Sequence, residues 1–243
     1  MAVINSLKNF KVTQWCKLKN KADRDKQKLF LAEGFHLVEE AFKANCLKEI
    51  ITTEKSTRFD VKTHQVTYEV MEKLSSLATP TKIIGICFQQ EERGCKNNIL
   101  LIDQIHHPGN LGTIIRSAAA FDVDTVVLNN CVDTYNQKLI QATQGMIFHL
   151  NIIKKPIKDF ILELKEQGYQ IIGTDVKEGI DLHDFKANDR WAVLVGNESD
   201  GVNNELLNMC DIRVSIKMNK KCESLNVGVA VGIILHGLSR RWI

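Results

Sequence analysis

The 243-residue chain has no apolar run approaching the roughly 20 residues of a membrane-spanning helix, and residues 1–28 lack the apolar stretch of a signal peptide. Its seven cysteines (Cys16, Cys46, Cys87, Cys95, Cys131, Cys210 and Cys222) are odd in number and scattered, with no C-x-x-C pair. That pattern excludes both a zinc ribbon and a disulfide framework. Reduced thiols and a cytoplasmic protein are the expectation. His106, His107 and His183 have no second histidine or carboxylate at metal-ligand spacing, so no metal is expected. There is no G-x-G-x-x-G after a strand and no Walker loop, which argues against a Rossmann-type nucleotide site and a phosphate-cleaving site.

Hydrophobic residues make up 44% of the chain, enough for true cores in one large or two small domains. The net charge of +3 is unevenly spread. Residues 1–28 carry eight Lys or Arg against two Asp, a net +6, leaving −3 for the rest. A basic block with Phe10 and Trp15 interleaved suits a phosphate backbone; the same charges also suit a solvated helix face.

Residues 89–98, Gln-Gln-Glu-Glu-Arg-Gly-Cys-Lys-Asn-Asn, break the apolar periodicity and divide the chain into 1–94 and 95–243. In the first part, strands at Leu47–Thr52 and Ile83–Phe88 alternate with amphipathic helices at Phe35–Lys43 and Tyr68–Leu77, a small α/β domain. In the second, strands are predicted at Ile99–Asp103, Thr125–Leu128, His149–Ile153, Tyr169–Thr174, Trp191–Gly196 and Asp211–Ile216. Helices are predicted at Gly112–Phe121, Asn136–Met146, Pro156–Gln167, Asn203–Asn208 and Leu225–Leu238. Continuous apolar strands alternating with helices imply a mostly parallel sheet covered on both faces.

Three strand ends carry polar groups that a core would not choose. The first reads His107-Pro-Gly-Asn-Leu-Gly-Thr-Ile-Ile-Arg116, with Asn110 placed to cap the coming helix. Arg116 taken alone reads as an arginine that reaches solvent or pairs with a carboxylate; its functional reading is a bidentate phosphate holder. The second, Val195-Gly-Asn-Glu-Ser-Asp-Gly201, leaves its strand at Gly196 and flanks Glu198 with glycine. The third, Ser224-Leu-Asn-Val-Gly-Val-Ala230, opens the last helix. Ser224 reads as an N-cap, whereas Asn226 in an apolar first turn does not, and Gly228, Ala230 and Gly232 form a small-residue face. Ligands of open α/β sheets bind at such an edge.

Together these residues resemble the SpoU (TrmH-like) RNA 2′-O-ribose methyltransferases of the SPOUT superfamily. The carrying motifs are Pro108-x-Asn110-x-Gly112-x-x-x-Arg116, Gly196-x-Glu198-x-x-Gly201 and Ser224-Leu-Asn226-Val-x-x-Ala230. A weaker motif, Phe30-Leu-Ala-Glu33-Gly34 before a helix, resembles the start of the family's RNA-binding domain, a ribosomal-protein-like fold.

The resemblance implies a deep C-terminal trefoil knot, a homodimer, S-adenosylmethionine as cofactor and ribosomal RNA as substrate. A tRNA 2′-O-methyltransferase and a non-catalytic SPOUT-like RNA-binding module remain open alternatives. It implies catalytic roles for Asn110, Arg116, Glu198, Ser224 and Asn226. Val195, Gly196, Asn197, Ile216, Leu225 and Leu128 would hold the cofactor. Lys8, Lys11, Lys17, Lys19, Arg24, Glu33 and Lys138 would contact RNA. Two departures stand out: Gln141 where the family often has arginine, and a glycine-free loop at Asn219–Glu223.

Overall fold

The computed structural model describes residues 3–96 and 98–239. They form two compact units, residues 3–91 with 133–149, and 92–96 and 98–132 with 150–239.

The first unit starts with α1 (Phe10–Lys17) and α2 (Lys21–Gln27). Both begin at an asparagine: Asn9 and Asn20 accept from the amides of Lys11 and Ala22, each at 2.9 Å. The basic block is therefore two capped helices with one buried face, since Val12, Trp15 and Leu18 sit in the core. Strands β1 (Leu29–Glu33), β2 (Leu47–Thr52), β3 (Lys62–Gln65) and β4 (Ile83–Phe88) make a mixed sheet in the order β1-β4-β2-β3. Only the β2–β3 pair is parallel. Helices α3 (Phe35–Lys43) and α4 (Tyr68–Leu74) complete this part.

The second unit holds a seven-stranded, all-parallel sheet. It begins with β5 (Asn98–Asp103), α5 (Pro108–Ala120) and β6 (Val123–Asn129). The chain then gives α6 (Gln137–Ala142) and a 3₁₀ turn (Met146–Phe148) to the first unit. It resumes with β7 (Asn151–Lys154), α7 (Ile157–Glu166), β8 (Gln170–Thr174), β9 (Ile180–Asp181) and β10 (Trp191–Val195). Helix α8 (Asn204–Leu207), β11 (Ile212–Ser215) and α9 (Val227–Leu238) follow.

The order β7-β6-β5-β10-β8-β11-β9 puts two apolar strands, β5 and β10, side by side at the centre. The chain winds outward from β5 through β6 and β7, then returns to the other side. The sheet therefore reverses its strand order at the β5–β10 border, where a crevice opens beyond the strands' carboxyl ends. Helix α9 packs on α5 through its glycine face. A Cβ at Gly228 would come within 2.9 Å of Thr113 Cγ2, and one at Gly232 would meet Ser117 Oγ at 3.5 Å.

Candidate active site

The three polar strand ends meet at this crevice. Pro108 is the first residue of α5, so the helix starts earlier than predicted, and Asn110 lies inside its first turn rather than at the cap. The cap of α9 is likewise Asn226 and not Ser224. Asn226 Oδ1 accepts from the amides of Gly228 (2.9 Å) and Val229 (3.4 Å).

That cap sets the direction of a hydrogen-bonded chain. With Oδ1 turned to the helix amides, Asn226 must present its Nδ2, which donates to Asn110 Oδ1 at 3.0 Å. Asn110 Nδ2 then faces outward and donates to Glu198 Oε1 at 2.9 Å. A carboxylate accepts only, so the chain ends there consistently. Residues from three separate motifs are thus linked through one asparagine.

Glu198 stands on a tight loop. Asn197 and Gly201 exchange backbone hydrogen bonds at 3.1 and 3.2 Å. Asn197 Oδ1 accepts from the amides of Ser199 (2.8 Å) and Asp200 (2.7 Å). The closure needs glycine at 196, because a Cβ there would lie 2.0 Å from the Gly201 carbonyl oxygen. Gly201 supplies the left-handed turn at φ +71°.

Beside the chain lies a cavity of about 550 Å³. Five of the six expected cofactor residues line it: Val195, Gly196, Asn197, Ile216 and Leu225. Leu128 does not; it is buried in β6, separated from β10 by β5. One wall of the cavity carries no motif in the sequence. The end of β8 and the segment after it, Thr174–Glu178, face the cavity together with Arg213. Arg213 donates to Glu178 (2.7 Å), Asp175 (3.3 Å) and Asn208 (2.9 Å), bracing that segment. Its signal lies in sheet order, with β8 between β10 and β11, which sequence does not display. The donor set suits S-adenosylmethionine: glycine-shaped backbone at 196, and apolar walls at Ile216, Met218, Leu225 and Val227 for a flat base.

Arg116 is exposed on α5 and has no partner among the described residues; Ser224 is also exposed.

The expected RNA contacts divide. Lys8, Lys11, Lys17 and Lys138 lie at least partly open to solvent. Arg24 is only 4% exposed. Its Nη2 donates to Asp133 at 2.6 Å, and its Nη1 to the carbonyls of Leu18 (3.0 Å) and Lys19 (2.8 Å). It is a buried strut, closed to a phosphate. Glu33, 3% exposed, accepts from Ser75 Oγ (2.6 Å), Ser76 N (2.9 Å) and Ser76 Oγ (2.6 Å), so it is internal too. Lys19 donates its ammonium to the carbonyls of Lys73 and Ser75 at the end of α4. Trp15 is buried, whereas Phe10 is not. Gln141, at the position of a family arginine, donates to the Glu33 carbonyl at 2.8 Å.

Among the described residues, no cluster of three or more His, Cys, Asp or Glu could hold a metal ion. Nor is any helix there long and apolar enough to cross a membrane.

Known proteins share this fold. Residues 97–236 match the SpoU rRNA methylase family, and residues 9–85 match the MRM3-like substrate binding domain. The chain is 35% identical to the 23S rRNA (guanosine(2553)-2′-O)-methyltransferase RlmP of Bacillus subtilis (strain 168), across 98% of this chain and 99% of that one. The AdoMet-bound rRNA methyltransferase from Sinorhizobium meliloti superimposes with a TM-score of 0.87 at 25% identity, covering 100% and 98% of the two chains. A crystal structure of an RNA 2′-O ribose methyltransferase gives 0.82 at 25% identity over 97% of each. This chain belongs to the SpoU rRNA methylase family.

Proposed function

We propose that this chain transfers a methyl group from S-adenosylmethionine to a ribose 2′-OH of large-subunit ribosomal RNA. The observation that carries the reading is the Asn226–Asn110–Glu198 chain at the mouth of the cofactor-sized cavity. The near-full-length likeness to RlmP supports the ribosomal substrate. It makes the guanosine equivalent to that relative's target the first nucleotide to test.

Bound against Val195–Asn197, Ile216 and Leu225, the cofactor supplies an electrophilic methyl on a sulfonium. The protein's own task is to hold the ribose hydroxyl in line and to let its proton leave. A positioned proton acceptor contributes roughly 10²–10⁴-fold. Arg116 is a poor base because it stays protonated. Its role is to clamp the phosphate beside the target ribose, which then takes the proton. Asn110 and Asn226 hold the first and third junctions in register, Glu198 anchors Asn110, and Ser224 lines the approach to the hydroxyl. Lys8, Lys11, Lys17 and Lys138 contact the RNA backbone, giving salt-sensitive binding.

The reading includes a homodimer and a deep trefoil knot. For the dimer, Val229 and Ile233 are one turn apart on α9, 50% and 40% exposed, beside the helix of Arg116. An exposed apolar stripe of this kind fits a two-fold interface that brings Arg116 to a partner copy's site. For the knot, the loops after β10 and β11 share one cavity with the start of α9. A cytoplasmic setting, where ribosomal RNA is modified, fits the free cysteines.

The test is calorimetric titration with S-adenosylmethionine, then labelled-methyl transfer to ribosomal RNA. Binding with alkali-stable, ribonuclease-sensitive label is expected. Arg116→Ala should keep cofactor affinity and lose turnover; full turnover from a folded Arg116→Ala protein would end the assignment.

A further inference from the structure

Two aromatic residues interrupt the basic block, and only one is used by the fold. Trp15 goes into the core, while Phe10, at the first turn of α1, is 75% exposed. Among the described residues no other large apolar side chain is as exposed, and a ring presented to water beside lysines suits a partner with a flat face and a negative charge.

Phe10 forms one side of a groove of about 650 Å³ between the start of α1 and β3, the edge strand of the first unit's sheet. The groove is a built feature. Ile4 donates to the Gln65 carbonyl at 2.9 Å, and Thr67 donates to the Ile4 carbonyl at 3.1 Å, fixing the chain ahead of α1 along the strand. His64 forms the floor, with its ring 5.1 Å from Trp15 and its Nε2 2.6 Å from Glu49 Oε2. Asn9 is occupied by the α1 cap, and the Thr63 hydroxyl donates to the Val61 carbonyl.

Three polar groups lining the groove remain. The Lys11 ammonium and the Gln65 carboxamide have no partner among the described residues. Lys62 leans on Glu49 at 3.3 Å but is 63% exposed. Among the described residues, no carboxylate lines the groove.

We propose that this groove takes an unpaired nucleotide of the RNA substrate. The base stacks on Phe10, its edge pairs with the Gln65 carboxamide, which both donates and accepts, and its phosphate lies between Lys11 and Lys62. Aromatic stacking with flanking cations is the physics of single-strand capture, and duplex RNA offers no free base face to it. The inference rests on RNA as the substrate and adds where, and in what form, the RNA is gripped.

The test uses the full-length protein with Phe10→Ala, Phe10→Trp and Gln65→Ala substitutions. The probes are a short oligouridylate and a blunt RNA duplex of equal length, read by fluorescence anisotropy. Cofactor affinity and methyl transfer to ribosomal RNA are measured alongside. Loss of a stacking ring should weaken oligouridylate binding roughly five- to hundredfold. Phe10→Trp should restore it, with duplex binding and cofactor affinity unchanged throughout. Gln65→Ala should likewise weaken oligouridylate binding while leaving duplex binding unchanged. If Phe10→Ala binds the oligonucleotide as the parent does, the groove is not a nucleotide site and an apolar peptide becomes its candidate occupant. The ribosomal RNA reading would survive that result. A parent protein that neither binds nor methylates ribosomal RNA would instead overturn that reading, and the subsite with it.

Discussion

Asn226 does two jobs that two substitutions separate. Asn226→Ala removes the α9 cap, a loss of about 0.5–2 kcal/mol. It also removes a side-chain hydrogen bond to Asn110, worth about 0.5–1.5 kcal/mol. For a chain of this size each kcal/mol moves the melting temperature by roughly 2–4 °C. Asn226→Asp keeps the cap, since aspartate accepts from helix amides as well as asparagine does, and its charge faces the positive end of the helix. What it loses is the donor. Asn110 must then turn its own amide toward residue 226, which brings Asn110 Oδ1 against the Glu198 carboxylate and breaks the 2.9 Å bond. Stability should therefore stay within about 0.5 kcal/mol of the parent, while methyl transfer falls roughly five- to thirtyfold, the worth of one to two such bonds. The assays are hydrogen exchange at the Gly228 and Val229 amides and kcat/KM for labelled-methyl transfer. If Asn226→Asp frayed α9 as much as Asn226→Ala does, the cap would be refuted. Parental transfer rates in Asn226→Asp would refute the directed chain.

Gly196→Ala should abolish cofactor binding in titration calorimetry while leaving RNA binding intact, because a Cβ cannot occupy a space 2.0 Å from the Gly201 carbonyl. Arg24→Ala should cost about 3–5 kcal/mol in urea unfolding, since it strands the buried Asp133. The substitution Lys17→Ala, outside that buried pair, should stay within about 0.5 kcal/mol and weaken only RNA binding. Glu40 and Glu49 both titrate below their ordinary 4.5; for Glu40 the Lys43 ammonium is the main cause, and for Glu49 burial pushes upward but the hydrogen bonds and charges of His64 and Lys62 together outweigh it. The unfolded chain therefore binds more protons near that value. Their stabilisation is present above pH 4.5 and disappears as pH falls through the folded values. Glu40→Gln and Glu49→Gln should each flatten the acid limb of a stability-against-pH curve.

Apolar runs and helical stripes were readable directly. The predicted helix Phe35–Lys43 coincides with α3, and the runs at Ile99 and Trp191 became the paired central strands β5 and β10. Strand β3, Lys-Thr-His-Gln, has no such pattern, because its conformation is set by pairing with β2. The two-residue β9 owes itself to β11 in the same way. At the site, the motifs were legible, but the division of labour between Asn110, Ser224 and Asn226 was not. A cap depends on where the helix turns, and Pro108 moved that point forward. Arg24 and Glu33 misled for a related reason. Composition records a charge but not its partner, and the partner of Arg24 lies 109 positions along the chain.

The excursion of residues 133–149 into the first unit has a consequence for synthesis. Phe30 lies against the rings of Tyr135 (4.7 Å) and Phe148 (6.0 Å), and the buried Arg24 awaits Asp133. None of these partners exists when the ribosome has just finished residue 91. At about 5–20 residues per second, the missing segment arrives roughly 3–12 s later. Until then the nascent N-terminal half carries an unsealed aromatic face and an unneutralised internal guanidinium. A truncation at residue 94 would freeze that incomplete state, so a stable stand-alone N-terminal fragment must carry residues 133–149 spliced to it.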